Sequence, residues 1–503
     1  MSPVTRAEFT CYQETSRHAD VMAFVQALAA REDPRLWVTS FGTSPEGREL
    51  PLLVLSAHGI RTPDESRRLG LPVVLVVNGI HAGEVEGKEA SLMLVRDLLD
   101  GQDAELLALF TLVVVPLFNP DGNDAIDPGN RRLHLPKLSG QLGPDSGVGT
   151  RVNAAKINLN RDYMRQEALE MRLLQTRVMQ VWEPELTLDN HATNGSVHRF
   201  SMTYDVPHTI ESGRSEPILY VRDRLLPAVT AKLAQNHGID AGWYGNFVED
   251  ERVLDAGADA DPAAPVREGW MTYPHHPRFG GNYRGLTGRM DILLECYSYI
   301  SFAERVRTAY AFMRETFRYV GSHAAEVLAI VKQSRTPPDR IAVRYRLDVL
   351  REVDILTCTP RTLDGAPSTV TLPHFARFVG TTVVDRPVAY LVPARLAALL
   401  RGHGLAVESA AGPYKVEVAT VEGYGTEDGR AILEAAKYGD IKVSWARSTR
   451  DAPTAYSRVT TTQPLGAIAV YLCEPESDDG AIENGAVDAV PVGAEFPVWR
   501  VVG

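Results

Sequence analysis

Apolar residues arrive along this chain in two kinds of pattern. Unbroken runs at 71–80 (LPVVLVVNGI) and 111–118 (TLVVVPLF) predict strands covered on both faces, since alternation is needed only where one face meets water. Helical spacing of Val21, Phe24, Val25 and Leu28 within 16–31 predicts an amphipathic helix. Further helices are expected at about 85–99, 167–182, 216–235 and 302–319. The helix at 85–99 lies between the two apolar runs, and strand–helix–strand is the order of a parallel crossover. The segment 37–57 (WVTSFGTSPEGRELPLLVLSA) predicts two strands about a Ser-Pro-Glu-Gly turn. ELTLDN (185–190) and RMDILLE (289–295) add two more strands. The fold class that follows is α/β, a mixed and largely parallel sheet covered by helices.

The texture changes after Lys332. QSRTPPDR (333–340) reads as a linker, and short β-rich pieces follow: IAVRYRLDV, VAYLVPA, YKVEVATVEGY and AIAVYLCEP. One helix, 393–403, interrupts them, and HGLAV reads as a helix end leading into a strand. The expected organisation is a domain over 1–332 and a smaller β-rich domain over 333–503. There is no internal repeat or low-complexity tract. The acidic stretch ESDDGAIENGAVD (476–488) reads as a solvated loop in preference to a cation site.

Composition narrows the class. With 503 residues, 44% hydrophobic and 23% charged, a sizeable core is available. A formal charge of −12 argues against a nucleic-acid binder and against docking on an anionic membrane. Four scattered cysteines, Cys11, Cys296, Cys358 and Cys473, show no metal spacing and read as reduced, mostly buried thiols. The opening stretch 1–22 has no apolar signal core, and no uncharged apolar run reaches membrane length. The chain reads as cytoplasmic as it stands, or as exported with its signal removed.

Candidate chemistry sits where the strands stop. The run 71–80 ends at His81-Ala82-Gly83-Glu84, and the strand at 185–190 delivers His191. Catalytic zinc takes three N/O ligands and keeps one position open, and two histidines with a glutamate are one such set. Open α/β sheets bind ligands at the carboxyl ends of their strands, where these residues fall. One zinc ion per chain, held by His81, Glu84 and His191, is therefore expected. Glu295 ends the run DILL at another sheet edge and is the candidate general base. Cys296 follows it and should point to the opposite face.

Four further segments, NPDGND (119–124), NRRL (130–133), INLNRDY (157–163) and RMDILLECYSY (289–299), extend this set. Taken in order, with HAGE before them and DNH between the last two, they resemble the zinc metallocarboxypeptidases of the carboxypeptidase A/B type over about residues 35–325. QPLGAIAVYLCEPESDDG (463–480) is similar to bacterial members with an extra C-terminal region. The resemblance implies that the catalytic glutamate lies in the Glu295 segment. It also implies an arginine shortly after NPDG for the oxyanion; Arg131 and Arg132 both fall there, and Arg131 is favoured. Asn160-Arg161 match the pair that grips a substrate's terminal carboxylate, a role suited to arginine's bidentate fork. Tyr273, with Tyr283 as its rival, matches the tyrosine that closes over substrate.

The chain departs from the animal digestive pattern in three places. Gly83 stands where those enzymes carry arginine. Asn158 stands where an aspartate orients the first zinc histidine, and DNHATNG lacks their aromatic follower. The expected function is a zinc metallocarboxypeptidase acting on the C-terminal bond of peptides. A related zinc amidase or deacylase acting on N-acyl amino acids or cell-wall peptides is the second reading, and a non-catalytic binding protein on the same fold the third.

Overall fold

A computed structural model describes residues 2–250, 268–425 and 440–502. Its centre is an eight-stranded mixed sheet of order β1-β2-β4-β3-β5-β10-β6-β7. The strands are β1 (Leu36–Thr43), β2 (Glu49–Leu55), β3 (Val73–Asn78), β4 (Thr111–Val115), β5 (Leu186–Thr193), β6 (Met202–Asp205), β7 (Ala241–Trp243) and, later in the chain, β10 (Met290–Tyr297). The neighbours β4, β3, β5 and β10 are mutually parallel, while β1–β2, β2–β4 and β10–β6 are antiparallel. The mixed, largely parallel sheet expected from the apolar runs is therefore present.

Burial explains why β3 carries no polar alternation. Val74 and Val76 enter one apolar cluster together with Leu186, Ile292 and helix Phe302–Ser322. Val73, Leu75 and Val77 enter the other, so both faces are dry. That second cluster also takes in Tyr390, Val392, Ile468 and Val470 from the C-terminal part of the chain. The C-terminal residues thus complete one face of the central sheet.

The helices fall close to expectation: His18–Ala29, Glu86–Leu99, Leu169–Trp182 with a π-helical middle, Ser215–His237 and Phe302–Ser322. An additional helix, Ala324–Gln333, runs up to the segment read as a linker. A four-stranded sheet then joins β8 (Asn246–Phe247) and β9 (Trp270–Met271) to the long hairpin β11 (Arg340–Thr359) and β12 (Ala366–Asp385). A six-stranded sheet uses β13 (Ala389–Val392), β14 (Val407–Ser409), β15 (Pro413–Gly425), β16 (Asp440–Asp451), β17 (Ser457–Thr460) and β18 (Glu495–Val501).

Two readings of this region need correction. AIAVYLCEP is not a strand: Gly466–Cys473 is a helix with every residue buried. A helix apolar on all sides has no 3.6-residue signature, so a short run cannot be told from a buried strand. The acidic stretch 476–488 is not a solvated loop either, because Asp478 and Asp479 are buried. Among the described residues no helix is long and apolar enough to cross a membrane.

Beneath the carboxyl ends of β5 and β10 lies a buried cation. Arg284, 1% exposed, donates to Asp189 Oδ2 at 2.6 Å and to Tyr163 Oη at 2.9 Å, and its Nε donates to Asp291. Removing one partner of a buried pair leaves an uncompensated charge. Arg284→Ala should therefore lower unfolding free energy by about 3–5 kcal/mol in denaturant titration. A loss below about 1 kcal/mol would mean that water already reaches this network.

Candidate metal centre and substrate cavity

Three adjacent strands, β3, β5 and β10, end at the same level. Asn78 is in register with Asn190, and His191 with Glu295. The chain leaves β3 through Gly79, whose φ of +67° is a conformation that L side chains rarely adopt. This turn brings His81 back over the sheet edge, and Glu84 N–H donates to His81 O at 3.0 Å. His81, Glu84 and His191 are all buried.

Their ligand atoms converge. His81 Nδ1 is 3.1 Å from Glu84 Oε1, His191 Nδ1 is 2.9 Å from Glu84 Oε2, and the two Nδ1 atoms are 3.2 Å apart. Tetrahedral zinc with bonds of about 2.0–2.1 Å needs ligand atoms roughly 3.3–3.4 Å apart, so this donor set fits the ion closely. Outer partners fix the rings. Asn158 Oδ1 accepts from His81 Nε2–H at 3.1 Å, which leaves Nδ1 as the lone pair. The amide does the orienting that the resemblance assigns to an aspartate. Asp189 Oδ1 lies 3.3 Å from His191 Nε2.

Charge follows from this packing. Burial pushes His81 down to about 3, so it is neutral near pH 7. Burial alone would raise the Glu84 carboxyl, but His81 and Arg131 overcome it and hold it well below the usual range. For His191 burial favours the neutral ring, yet Asp189 and Glu84 together raise its pKa. Burial pushes Glu295 up to about 8, with His191 opposing and Glu84 adding to the rise. A dication among the three ligands would pull Glu295 back down.

All of this opens into a cavity of about 650 Å³ whose walls include His81, Glu84, Glu295, Asn160, Arg161 and Tyr273. Asn160 Oδ1 accepts from Gly280 N–H at 2.9 Å, leaving its amide nitrogen as the atom that can donate. The Arg161 guanidinium lies 3.7 Å over the Phe279 ring. Tyr273 Oη donates to Val206 O at 3.0 Å, and its ring packs with Phe279 and Leu293 in the cavity wall. Tyr283 points elsewhere, to Gln175 and His403. Cys296 faces away, as its strand position requires, with Sγ 3.6 Å from Arg305 O.

The two arginines expected near the oxyanion sit differently. Arg131 is committed: it donates to Glu84 Oε1 at 2.9 Å, Gln141 Oε1 at 2.7 Å and Ala192 O at 2.9 Å. It holds a left-handed φ of +49° and its stem fills the space at Gly83, where a Cβ would come within 2.7 Å of Arg131 Cδ. An arginine at 83 would collide with it. Arg132 is exposed at the cavity rim. Arg151, which the sequence did not single out, faces the same ligands. Its side chain is 46% exposed, and Nη1 lies 3.2 Å from His81 Nδ1 and 3.5 Å from Glu84 Oε1.

Known proteins resemble the chain over part of its length. Residues 21–185 match the family model described as zinc carboxypeptidase. The match includes His81, Glu84, Arg151, Asn160 and Arg161 and stops before His191 and Glu295. Carboxypeptidase 2 of Trichophyton rubrum is 32% identical over 111 residues, which is 21% of this chain and only 20% of that protein's length. The metallo-carboxypeptidase of Burkholderia cenocepacia is 16% identical, with 61% of this chain and 68% of that one covered and a TM-score of 0.39. The Pseudomonas aeruginosa metallo-carboxypeptidase is 18% identical over 61% and 69%, also with a TM-score of 0.39.

Outer partners of metal ligands set affinity as well as orientation. Asn158→Ala removes the acceptor that holds His81, and Asp189→Asn weakens the charge behind His191. Each should cost roughly 10–100-fold in zinc affinity, read by competition with a chelating dye. Unchanged affinity in both would mean the metal binds elsewhere.

Proposed function

We propose that this protein is a zinc-dependent metallocarboxypeptidase, one zinc per chain, that hydrolyses the C-terminal peptide bond of peptides. The observation that carries this reading is the convergence of the His81, Glu84 and His191 ligand atoms beside a cavity that half-buried Glu295 and the Asn160-Arg161 pair also line. When bound, zinc supplies Lewis acidity, making water a better nucleophile near neutral pH and polarising a carbonyl.

The chain's own residues do the rest. Glu295 takes the attacking water's proton and returns it to the departing amine. Arg151 supplies a guanidinium to the developing oxyanion, while Arg131 keeps Glu84 in place. Asn160 and Arg161 receive the free terminal carboxylate through charge-assisted hydrogen bonds. Beside Arg161 the wall is built from Tyr244, Tyr273, Phe279 and Leu293, which suits an apolar or aromatic terminal side chain. Acidic surroundings are no obstacle: the −12 charge is a property of the whole chain, whereas Arg131, Arg132, Arg151 and Arg161 line this cavity.

The test is a double comparison. Hydrogen bonds to charged groups contribute roughly 1.5–3 kcal/mol each, so amidating a peptide's C-terminus should lower kcat/KM at least about tenfold. Arg161→Ala should cost as much on the free acid and little more on the amide, since both changes delete one interaction. Equal cleavage of acid and amide by the wild type would contradict the terminal-carboxylate role and point to the amidase reading.

A further inference from the structure

Asp478 and Asp479 stand about 200 residues from the cavity in sequence and reach it in space. The loop carrying Tyr273, Phe279 and Gly280 is gripped from both sides. On the cavity side, Gly280 N–H donates to Asn160 Oδ1 at 2.9 Å and Phe279 lies under Arg161. On the far side, Asp479 Oδ2 accepts from Arg278 N–H at 2.7 Å and Asp479 Oδ1 from Arg278 Nε at 3.0 Å. Asp478 Oδ2 lies 2.7 Å from His275 Nε2, and its Oδ1 accepts from Tyr471 Oη at 2.7 Å.

The two aspartates are themselves fixed. Asp479 is 0% exposed, and Asn484 Nδ2 donates to its carbonyl at 2.8 Å. Asp478 N–H donates to Val343 O at 3.0 Å, tying it to the start of β11. Neither carboxylate is solvated, and each is matched to a cation or ring on the cavity loop. Burying a charge is tolerated when it is paired in this way, and the pairing then specifies one geometry.

We infer that Asp479 is a positioning residue for substrate recognition: through Arg278 it sets Phe279 against Arg161, so that the C-terminal region shapes the carboxylate pocket. Asp478 steadies the same loop through His275. This gives residues 333–503 a role in binding rather than in chemistry. It rests on the reading of Arg161 as the carboxylate site.

Asp479→Asn in the full-length, zinc-loaded protein removes the charge and keeps the shape. Peptide KM for a free-acid substrate should rise about tenfold with kcat within about twofold, and the KM of the amidated peptide should stay put. Backbone hydrogen exchange over 273–282 should quicken, while the strands β3 and β5 keep their protection. Asp479→Glu should recover part of the KM. Should Asp479→Asn not fold, the paired replacement Arg278→Met with Asp479→Leu removes both charges together and should raise KM likewise. A KM unchanged in a folded variant overturns the proposal, as does a fall in kcat alone. His275, His276 and Asp478 also offer ligand atoms within 4.8 Å of one another. Tight retention of a second zinc equivalent, lost in Asp478→Asn, would overturn the clamp and make this a metal site. If the wild type does not discriminate acid from amide, the carboxylate reading fails separately, and the exchange result still decides whether Asp479 holds the loop.

Discussion

The buried carboxylate of Glu84 is the constraint on which the rest of this site depends. It is 4% exposed and touches both imidazoles, Arg131 and the Ala192 amide. A carboxylate taken out of water is costly unless it is paired and hydrogen-bonded. Every neighbour supplied to it is also a part of the site. The pairing is possible because β3 and β5 are adjacent, parallel and in register, so that His81 and His191 leave the sheet at one level. A slip of one residue would turn His191 to the opposite face of the sheet.

Behind Glu84 the charges alternate into the core. Arg131 faces it, His191 joins it to Asp189, and Arg284 joins Asp189 to Asp291. Such a stack holds histidine orientation without relying on solvent. It also explains how this chain does without an arginine at position 83: Arg131 enters from the 130–133 turn and its stem takes that volume. The cost is a left-handed backbone at Arg131, tolerated because three hydrogen bonds fix its guanidinium.

Much of this was legible in the sequence, and for a physical reason. Strands buried on both faces leave apolar runs, and the runs of β3 and β10 lead to His81 and Glu295. β5 carries Thr187, Asp189 and Asn190 before His191, so that histidine was read from its place in DNH. Arg151 was not legible, because only folding brings the 145–155 loop over His81; in the sequence it is one arginine among many. The helix Gly466–Cys473 was hidden by having no polar face. Asp478 and Asp479 looked solvated because their partners, His275 and Arg278, are about 200 residues away. Local patterns report burial well and long-range pairing hardly at all.

The most direct measurement is mass spectrometry of a free-acid peptide incubated with the zinc-loaded protein and with zinc-loaded Glu295→Gln. The account predicts that the wild type sheds residues one at a time from the C-terminus, that a chelator stops it and added zinc restores it. The glutamine variant should keep its metal and lose at least about a hundredfold in turnover, since a positioned general base contributes that much or more. Internal fragments, hydrolysis indifferent to the chelator, or undiminished turnover by the glutamine variant would contradict it.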